Sequence, residues 1–146
     1  LSAKRIQRCL RSGLDELNGK LVLEAGSGAG RFTEVILAHG AVVDSFDYSH
    51  AVLANFANNG SNRRLTLVQA DLFNMPFRRA EYDVVVCLGV LQHTPDPDRG
   101  IRELWDRVKP GGILVFDHYR RKLRNYLPPP FGVAGMLYRL YFLRVP

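Results

Sequence analysis

Three glycines recur at every second position within the segment LVLEAGSGAGRFT, residues 21–33. Gly26, Gly28 and Gly30 follow an apolar run, enclose Ser27 and precede a stretch with helical spacing. Glycines in a strand-to-helix turn permit positive φ angles and let the backbone approach a ligand closely. The helix that follows such a turn offers free N–H groups to the same ligand. The segment therefore predicts a nucleotide-binding turn.

The spacing of these glycines bears on which nucleotide is bound. A dinucleotide-binding turn has the pattern G-x-G-x-x-G, whose third glycine allows close packing of helix on strand. Counted from Gly26, that third position is occupied by Arg31. An arginine there would crowd the contact between helix and strand, so NAD is disfavoured as the ligand.

The elements around the turn alternate between apolar runs of strand length and stretches of helical spacing. Strands are predicted at 20–24, 41–47, 65–69, 82–88 and 113–117. Helices are predicted at 31–39, 49–58 and 101–108. Short links between them indicate right-handed crossovers and a mostly parallel sheet covered on both faces, an α/β fold. Ligands of such sheets bind at the carboxyl ends of the strands, and Cys87, Leu88 and Gly89 close the fourth strand.

With Glu24 two residues upstream, the glycine turn reads E-x-G-x-G-x-G and resembles motif I of class I S-adenosylmethionine-dependent methyltransferases. Four further stretches match the family in its order: FDYS (46–49), VQADLFNMPF (68–77), YDVVVCLGVLQHTPDP (82–97) and VKPGG (108–112). The resemblance covers residues 20–119. It implies a Rossmann-like three-layer αβα sandwich with strand order 3-2-1-4-5, S-adenosylmethionine as cofactor, and methyl transfer.

The resemblance also implies roles for individual residues. Asp47 ends the second strand, where a carboxylate can accept hydrogen bonds from both ribose hydroxyls; Asp71 would accept from the adenine amino group. Glu24 would order the glycine loop or reach the methionine ammonium through water. Structural turns for the glycines and helix capping for the two aspartates are the alternatives. The predicted cofactor-binding residues are Glu24, Gly26, Ser27, Gly28, Gly30, Asp47, Tyr48, Asp71, Leu72, Leu88 and Gly89.

Methyl transfer from a sulfonium is an in-line displacement, to which proximity and orientation contribute much of the acceleration. A general base is needed only if the nucleophile must lose a proton. The candidate bases are His93 in LQHT and, after the fifth strand, Asp117, His118 and Tyr119; His93 and His118 are the two predicted to be catalytic, and His93 has the alternative of lining the donor pocket. Asp44 is expected to be structural, and Cys87 to be a small apolar wall residue.

The acceptor is indicated mainly by exclusion. An amino-methylating nucleic-acid enzyme with an N/D-P-P-Y motif would show it after the fourth strand, where this chain has CLGVLQHT. No Pro-Cys pair occurs there either, which argues against a covalent route to pyrimidine carbon. A small-molecule or lipid-like acceptor is therefore predicted. A non-catalytic or truncated cofactor-binding domain that acts as a partner subunit, and an RNA methyltransferase, are the alternatives.

The composition is that of one ordinary globular domain, with 47% hydrophobic and 23% charged residues in 146. No apolar run approaches the roughly 18 residues that span a bilayer. Cys9 and Cys87 have no ligand-like spacing, so neither a disulfide framework nor a metal site is expected, and a cytoplasmic location is predicted.

The net charge of +6 arises after residue 117, where six basic residues and no acidic ones occur. Residues 1–119 are therefore predicted to be the cofactor-binding core, and 120–146 a basic, aromatic C-terminal segment. A helix packed on the core is the favoured interpretation of this segment; a substrate lid, a membrane-surface helix and a homodimer contact are alternatives. The antiparallel C-terminal hairpin of the family's seven-stranded sheet is expected to be absent. The segment, or a second chain, is then expected to cover the edge of the strand 113–117.

Overall fold

The computed structural model describes residues 2–8, 10, 13–119 and 138–144. Six β-strands lie in this part of the chain: β1 (Leu21–Ala25), β2 (Val42–Asp47), β3 (Leu65–Gln69), β4 (Tyr82–Cys87), β5 (Val108–Tyr119) and β6 (Tyr138–Arg144). The α-helices within it are α1 (Ser2–Gln7), α2 (Arg31–Ala38), α3 (Ala51–Asn59) and α4 (Pro97–Trp105). Short 3-10 turns occur at Leu14–Leu17, Leu72–Asn74 and Leu91–His93.

The strands form one sheet in the order β3-β2-β1-β4-β5-β6. The first five strands of the chain pair in parallel, and β6 runs antiparallel to β5. The chain order reverses between β1 and β4, because β2 and β3 lie on the other side of β1. The predicted Rossmann-like fold and the strand order 3-2-1-4-5 are confirmed. In such a sheet the ligand crevice opens at the carboxyl ends of the strands beside this reversal.

Alternate side chains of the central strands fill two apolar layers, one on each face of the sheet. Val22 lies in one layer with Ile36 of α2, and Leu23 lies in the other with Val85 and Leu104 of α4. Successive side chains of a strand point to opposite faces, and a parallel sheet is buried on both. Mainly apolar runs therefore form these strands, and their burial fixes the strand ends on which the site depends.

The C-terminal strand corrects one expectation. The family's C-terminal hairpin was expected to be absent, and residues 120–146 were expected to cover the edge of the fifth strand, with a helix favoured for the aromatic stretch. Tyr138–Arg144 does pair along that edge, but as a strand in antiparallel register with residues 113–119 of β5 and not as a helix. Aromatic residues in YRLYFLR favour strands, and the pairing satisfies backbone groups that a bare edge would leave open. Residues 120–137 of the predicted C-terminal segment lie outside the described residues.

The bounds of α4 also differ from those predicted by spacing alone. The helix begins at Pro97, and the Asp96 side chain caps it by accepting a 2.9 Å hydrogen bond from the Arg99 N–H. Proline suits the first turn of a helix because it needs no backbone donor there. The helix ends at Trp105, and the KPGG stretch after it belongs to β5. Among the described residues, no helix combines the length and the apolar character required to cross a bilayer.

Candidate functional site

The carboxyl ends of the parallel strands meet at one edge of the sheet. Ala25 at the end of β1 is in register with Phe46 of β2 and with Cys87 of β4. Cys87 is in turn in register with Phe116 of β5. The residues that follow these positions therefore share one edge. The fold therefore brings three groups of predicted site residues to this edge: the glycine turn, Asp47, and Leu88 with Gly89.

The three glycines of the turn are required for different reasons. All have φ between 53° and 88°, a region that L side chains rarely adopt. A Cβ on Gly26 would collide with the Val90 side chain, and one on Gly30 would collide with Asn55 and Asn59. Within the described structure, open space surrounds the position of a Cβ on Gly28. Gly28 is therefore the glycine of this turn that leaves room for a ligand.

Asp47 anchors the glycine turn from the end of β2. Its Oδ2 accepts a hydrogen bond from the Gly28 N–H at 2.7 Å. Its Oδ1 accepts from the N–H and the hydroxyl of Ser49, at 2.8 and 2.6 Å. Because a carboxylate oxygen offers about two lone-pair sites, Oδ2 retains one acceptor position, and Oδ1 regains one when the Ser49 hydroxyl turns away.

Glu24 lies beneath the turn as a buried carboxyl group, 2% exposed. Its Oε2 accepts hydrogen bonds from the hydroxyls of Thr33 and Ser45, at 2.5 and 2.9 Å. Its Oε1 is buried and has no hydrogen-bond partner among the described residues. Burial raises the pKa of Glu24, because the ionised form loses hydration, and hydrogen bonding by the two hydroxyls and the Thr33 backbone offsets only part of that effect. The carboxyl group thus joins β1, β2 and α2 and keeps one oxygen unpaired.

A cleft of about 520 Å³ opens between the ends of β2 and β3. The residues that line it are Tyr48, Ser49, His50, Gln69, Ala70 and Asp71. Asp71 caps the following 3-10 turn by accepting from the Phe73 N–H at 2.9 Å. Leu72 is buried, whereas Tyr48 is 76% exposed at the mouth. Both predicted aspartates thus lie near the cleft, and Asp71 also has the capping role that was its alternative.

The turn after β4 is fixed by a buried acid at the end of β5. Gly89 has φ 80° and donates its N–H to Oδ1 of Asp117 at 2.6 Å. Asp117 is fully buried and also forms an ion pair with Arg5 of α1. Leu88 is buried beside this turn, and burial raises the pKa of the Cys87 thiol to about 12. The Cys87 thiol is therefore buried and protonated at neutral pH.

The two candidate bases lie on different elements. His93 ends the 3-10 turn after β4 and is exposed to solvent. His118 belongs to β5, where its backbone is in register with Arg139 of β6; its side chain lies outside the described part. Beside His93, the Gln92 amide is buried and has no hydrogen-bond partner within the described structure.

The unpaired polar atoms test whether this edge suits S-adenosylmethionine. Buried oxygens of Glu24 and Ser27 and the Gln92 amide lack partners among the described residues, and a buried polar group without a partner is costly. Two further features of this edge suit a ligand. There is open space beside Gly28 and Gly89, and the Asp47 carboxylate has spare acceptor capacity. A ligand with a cation, a diol and an amine supplies what these groups lack. Groups of three or more metal-ligating side chains are absent from the described residues.

Sequence reasoning missed the polar face of α3. Asn55, Asn58 and Asn59 hydrogen-bond to α2 and to the glycine turn. Their i, i+3, i+4 spacing places them on one side of the helix. That spacing was visible in ANFANN, but asparagines near a helix end suggested only a stop signal. Asp117 was a candidate base, whereas the structure makes it a buried partner of Arg5 and Gly89, which are distant in sequence.

Comparison with known proteins connects this geometry to a family. The profile of a methyltransferase domain family matches residues 23–116. The ubiquinone biosynthesis O-methyltransferase of Coxiella burnetii (strain Dugway 5J108-111) is 33% identical over 124 residues, 84% of the chain and 52% of that protein. The ubiquinone biosynthesis O-methyltransferase of Vibrio vulnificus (strain YJ016) is 35% identical over 127 residues, 85% of the chain and 53% of that protein.

The chain thus spans about half the length of the curated relatives it matches. Among solved structures, an S-adenosylmethionine-dependent methyltransferase from Mesorhizobium loti has a TM-score of 0.68 at 26% identity. The match covers 82% of the chain and 54% of that structure. The residues matched by the family profile, 23–116, include the glycine turn.

Proposed function

Because the chain belongs to the methyltransferase domain family, we propose that it transfers a methyl group from S-adenosylmethionine to an oxygen atom of a small, lipid-like acceptor. The family and the cofactor predicted from the sequence are confirmed. The acceptor, the binding residues and the catalytic residues belong to the proposal. The observation that carries it is the 2.7 Å hydrogen bond by which Gly28 and Asp47 join the glycine turn to the end of β2.

Asp47 would hold the ribose diol. Its Oδ2 has a free acceptor position beside Gly28. Its Oδ1 gains one when the Ser49 hydroxyl turns away. Asp71 and Leu72 would meet the adenine in the cleft after β3, where Tyr48 stands at the mouth. The unpaired Oε1 of Glu24 would face the methionine ammonium, directly or through water.

When bound, S-adenosylmethionine would supply a methyl group on a positively charged sulfur, and the sulfur would leave as the nucleophile attacks the methyl carbon in line. The residues of this chain then need to orient the two partners, since orientation contributes much of the acceleration. Leu88 and Gly89 would form the wall at the strand reversal, with Gly89 fixed by Asp117. His93 would take the proton from an acceptor hydroxyl, because its exposed ring can meet a substrate that enters from solvent.

The names of the relatives support an oxygen nucleophile. Both are called O-methyltransferases of ubiquinone biosynthesis. Ubiquinone is a prenylated quinone, so a phenolic hydroxyl on a lipid-like ring is the acceptor class that fits both those names and the predicted acceptor. A cytoplasmic location and a homodimer through residues 120–146 remain part of this proposal, and sedimentation of the purified chain tests the dimer.

Turnover with methyl-labelled S-adenosylmethionine tests the proposed function. The chain is incubated with a prenylated phenol, the same phenol without the prenyl chain, or total RNA. We expect label on the phenolic oxygen, and more of it with the prenylated acceptor. Label in RNA alone would favour the RNA methyltransferase alternative. Cofactor binding without turnover of any acceptor would favour a non-catalytic partner subunit.

A further inference from the structure

We propose that Asn55, Asn58 and Asn59 of α3 are positioning residues for the cofactor, which hold the glycine turn and, through Thr33, the carboxylate of Glu24. The inference rests on the proposed function, since it concerns the same cofactor site. The asparagines would not contact the cofactor themselves and would act on it through other residues.

The hydrogen bonds form a relay with one direction. Asn59 Nδ2 donates to the Gly30 carbonyl at 3.3 Å and to Asn55 Oδ1 at 2.8 Å. Asn55 must then turn its Nδ2 towards the Thr33 hydroxyl, to which it donates at 2.9 Å. A hydroxyl has one proton, so Thr33 donates that proton to Glu24 Oε2. The relay therefore delivers a donor to the carboxylate and favours one orientation of it.

The same helix holds the turn directly. Asn58 donates to the Ala29 carbonyl at 3.0 Å, and Asn59 reaches the next carbonyl, that of Gly30. A side chain at position 30 would collide with Asn55 and Asn59. Gly30 is thus a glycine because the asparagines approach it closely. The turn is thus hydrogen-bonded both to α3 and to Asp47.

Burial shows that Asn55 is not a solubilising surface residue. Its side chain is fully buried, at 0% exposure, where an apolar side chain would ordinarily suffice for packing. Paired polar groups in a buried network favour one arrangement, and both amide atoms of Asn55 are paired. The arrangement specified here is that of Glu24 and the turn.

The helix also begins at the cofactor cleft. The Ala51 N–H at its first residue donates to the Ser49 hydroxyl at 3.2 Å, and that hydroxyl donates to Asp47. One rigid element therefore contacts the predicted ribose site at its start and the glycine turn at its end. Loss of the asparagines should loosen the turn and weaken cofactor binding while the sheet stays intact.

A double-mutant cycle between Asn55→Ala and Glu24→Gln in the full chain tests the relay, with affinity for S-adenosylhomocysteine measured by calorimetry. We expect Asn55→Ala to weaken affinity about tenfold in the parent and less than about threefold in the Glu24→Gln background, because coupled residues are not additive. Asn62→Ala is the matched control: Asn62 accepts from the Arg64 N–H outside the relay, and its loss should leave affinity unchanged.

Hydrogen exchange provides a readout that needs no ligand. Exchange at residues 26–30 should rise in Asn55→Ala while β1 and β4 stay protected. If Asn55→Ala does not fold, the exposed Asn58→Ala replaces it, with an expected loss of about threefold in affinity, near one net hydrogen bond. Unchanged affinity in the asparagine variants, or equal losses in both Glu24 backgrounds, would overturn the inference. A parent chain that binds no S-adenosylhomocysteine would instead overturn the proposed function, and this inference with it.

Discussion

The backbone N–H of Gly28 and the side chain of Asp47 are joined by a 2.7 Å hydrogen bond that spans 19 residues of sequence. The bond connects the turn after β1 to the end of β2, and it places an acceptor beside the open space at Gly28. One carboxylate therefore both shapes the turn and presents an oxygen to a ligand.

Replacement of Asp47 by alanine should weaken S-adenosylhomocysteine binding by about 10- to 100-fold, since hydrogen bonds to a charged group contribute about 1.5–3 kcal/mol each. Asp47→Asn retains the shape and loses the charge, so an intermediate loss is expected. Ser49→Ala is the control, because it removes a donor to Asp47 without removing the acceptor. Calorimetric titration measures all three; an Asp47→Ala variant with parental affinity would remove Asp47 from the site.

Two glycine replacements should separate folding from ligand binding. Gly28→Ala and Gly30→Ala both place an alanine at positive φ, which costs about 1–3 kcal/mol. Only Gly30→Ala adds a collision, with Asn55 and Asn59. We therefore expect Gly30→Ala to lose more unfolding free energy than Gly28→Ala. We expect Gly28→Ala to lose cofactor affinity with a smaller loss of stability. Equal stability of the two variants in urea denaturation would contradict this explanation.

The buried Glu24 should make the stability of the ligand-free protein depend on pH. Its folded pKa lies above the ordinary value of 4.5, so the folded state binds more protons between that value and the raised pKa. The contribution of Glu24 to the free energy of unfolding is fully present below pH 4.5. It is lost as the pH rises through the folded pKa. Relative to the parent, Glu24→Gln should therefore gain unfolding free energy as the pH rises across this window. A difference that stays constant with pH would contradict a raised pKa.

His93 as the base predicts a separation of turnover from binding. His93→Ala should lower kcat by about 10²- to 10⁴-fold and leave the affinity for S-adenosylhomocysteine unchanged, because the side chain is exposed to solvent. The exposed His50→Ala serves as a comparison for general effects of histidine loss near the cleft. Full turnover in His93→Ala would show that the acceptor needs no base from this residue.

A structural prediction concerns Tyr82 and Asp44. The buried Tyr82 hydroxyl donates to Asp44 Oδ2 at 2.7 Å. Tyr82→Phe should lower the unfolding free energy by about 1–3 kcal/mol, because Asp44 loses its donor in a partly buried position. Cofactor affinity should not change, since the pair lies within the sheet. A loss of affinity without a loss of stability in thermal unfolding would assign Asp44 to the site.

The sequence was sufficient to predict the sheet because its information is local. The strand LTLVQ has the predicted bounds of 65–69, and β1 is shifted by one residue from its predicted bounds. These bounds were predictable because apolar runs and the glycines next to them determine where such strands begin and end. The sixth strand was missed because Tyr138, Tyr141 and Phe142 have the i, i+3, i+4 spacing of a helix and not the alternation of a strand. The segment forms a strand by pairing with β5, and pairing is a long-range property.

The same distinction holds for the candidate site. Motif positions placed Gly28 and Asp47 at one edge because the carboxyl ends of parallel strands coincide. The ion pair of Arg5 with Asp117 joins residues 112 positions apart, and no local pattern indicates it. The asparagines of α3 lay between these cases: their spacing was visible, but their partners depended on how α3 packs against α2.

The central claim is that the glycine turn binds S-adenosylmethionine, and calorimetric titration of the intact chain with S-adenosylhomocysteine tests it most directly. NADH is titrated in parallel, because Arg31 occupies the position of the third dinucleotide glycine. We predict saturable binding of S-adenosylhomocysteine at one site per chain and no heat with NADH. Binding of NADH without binding of S-adenosylhomocysteine would contradict the account.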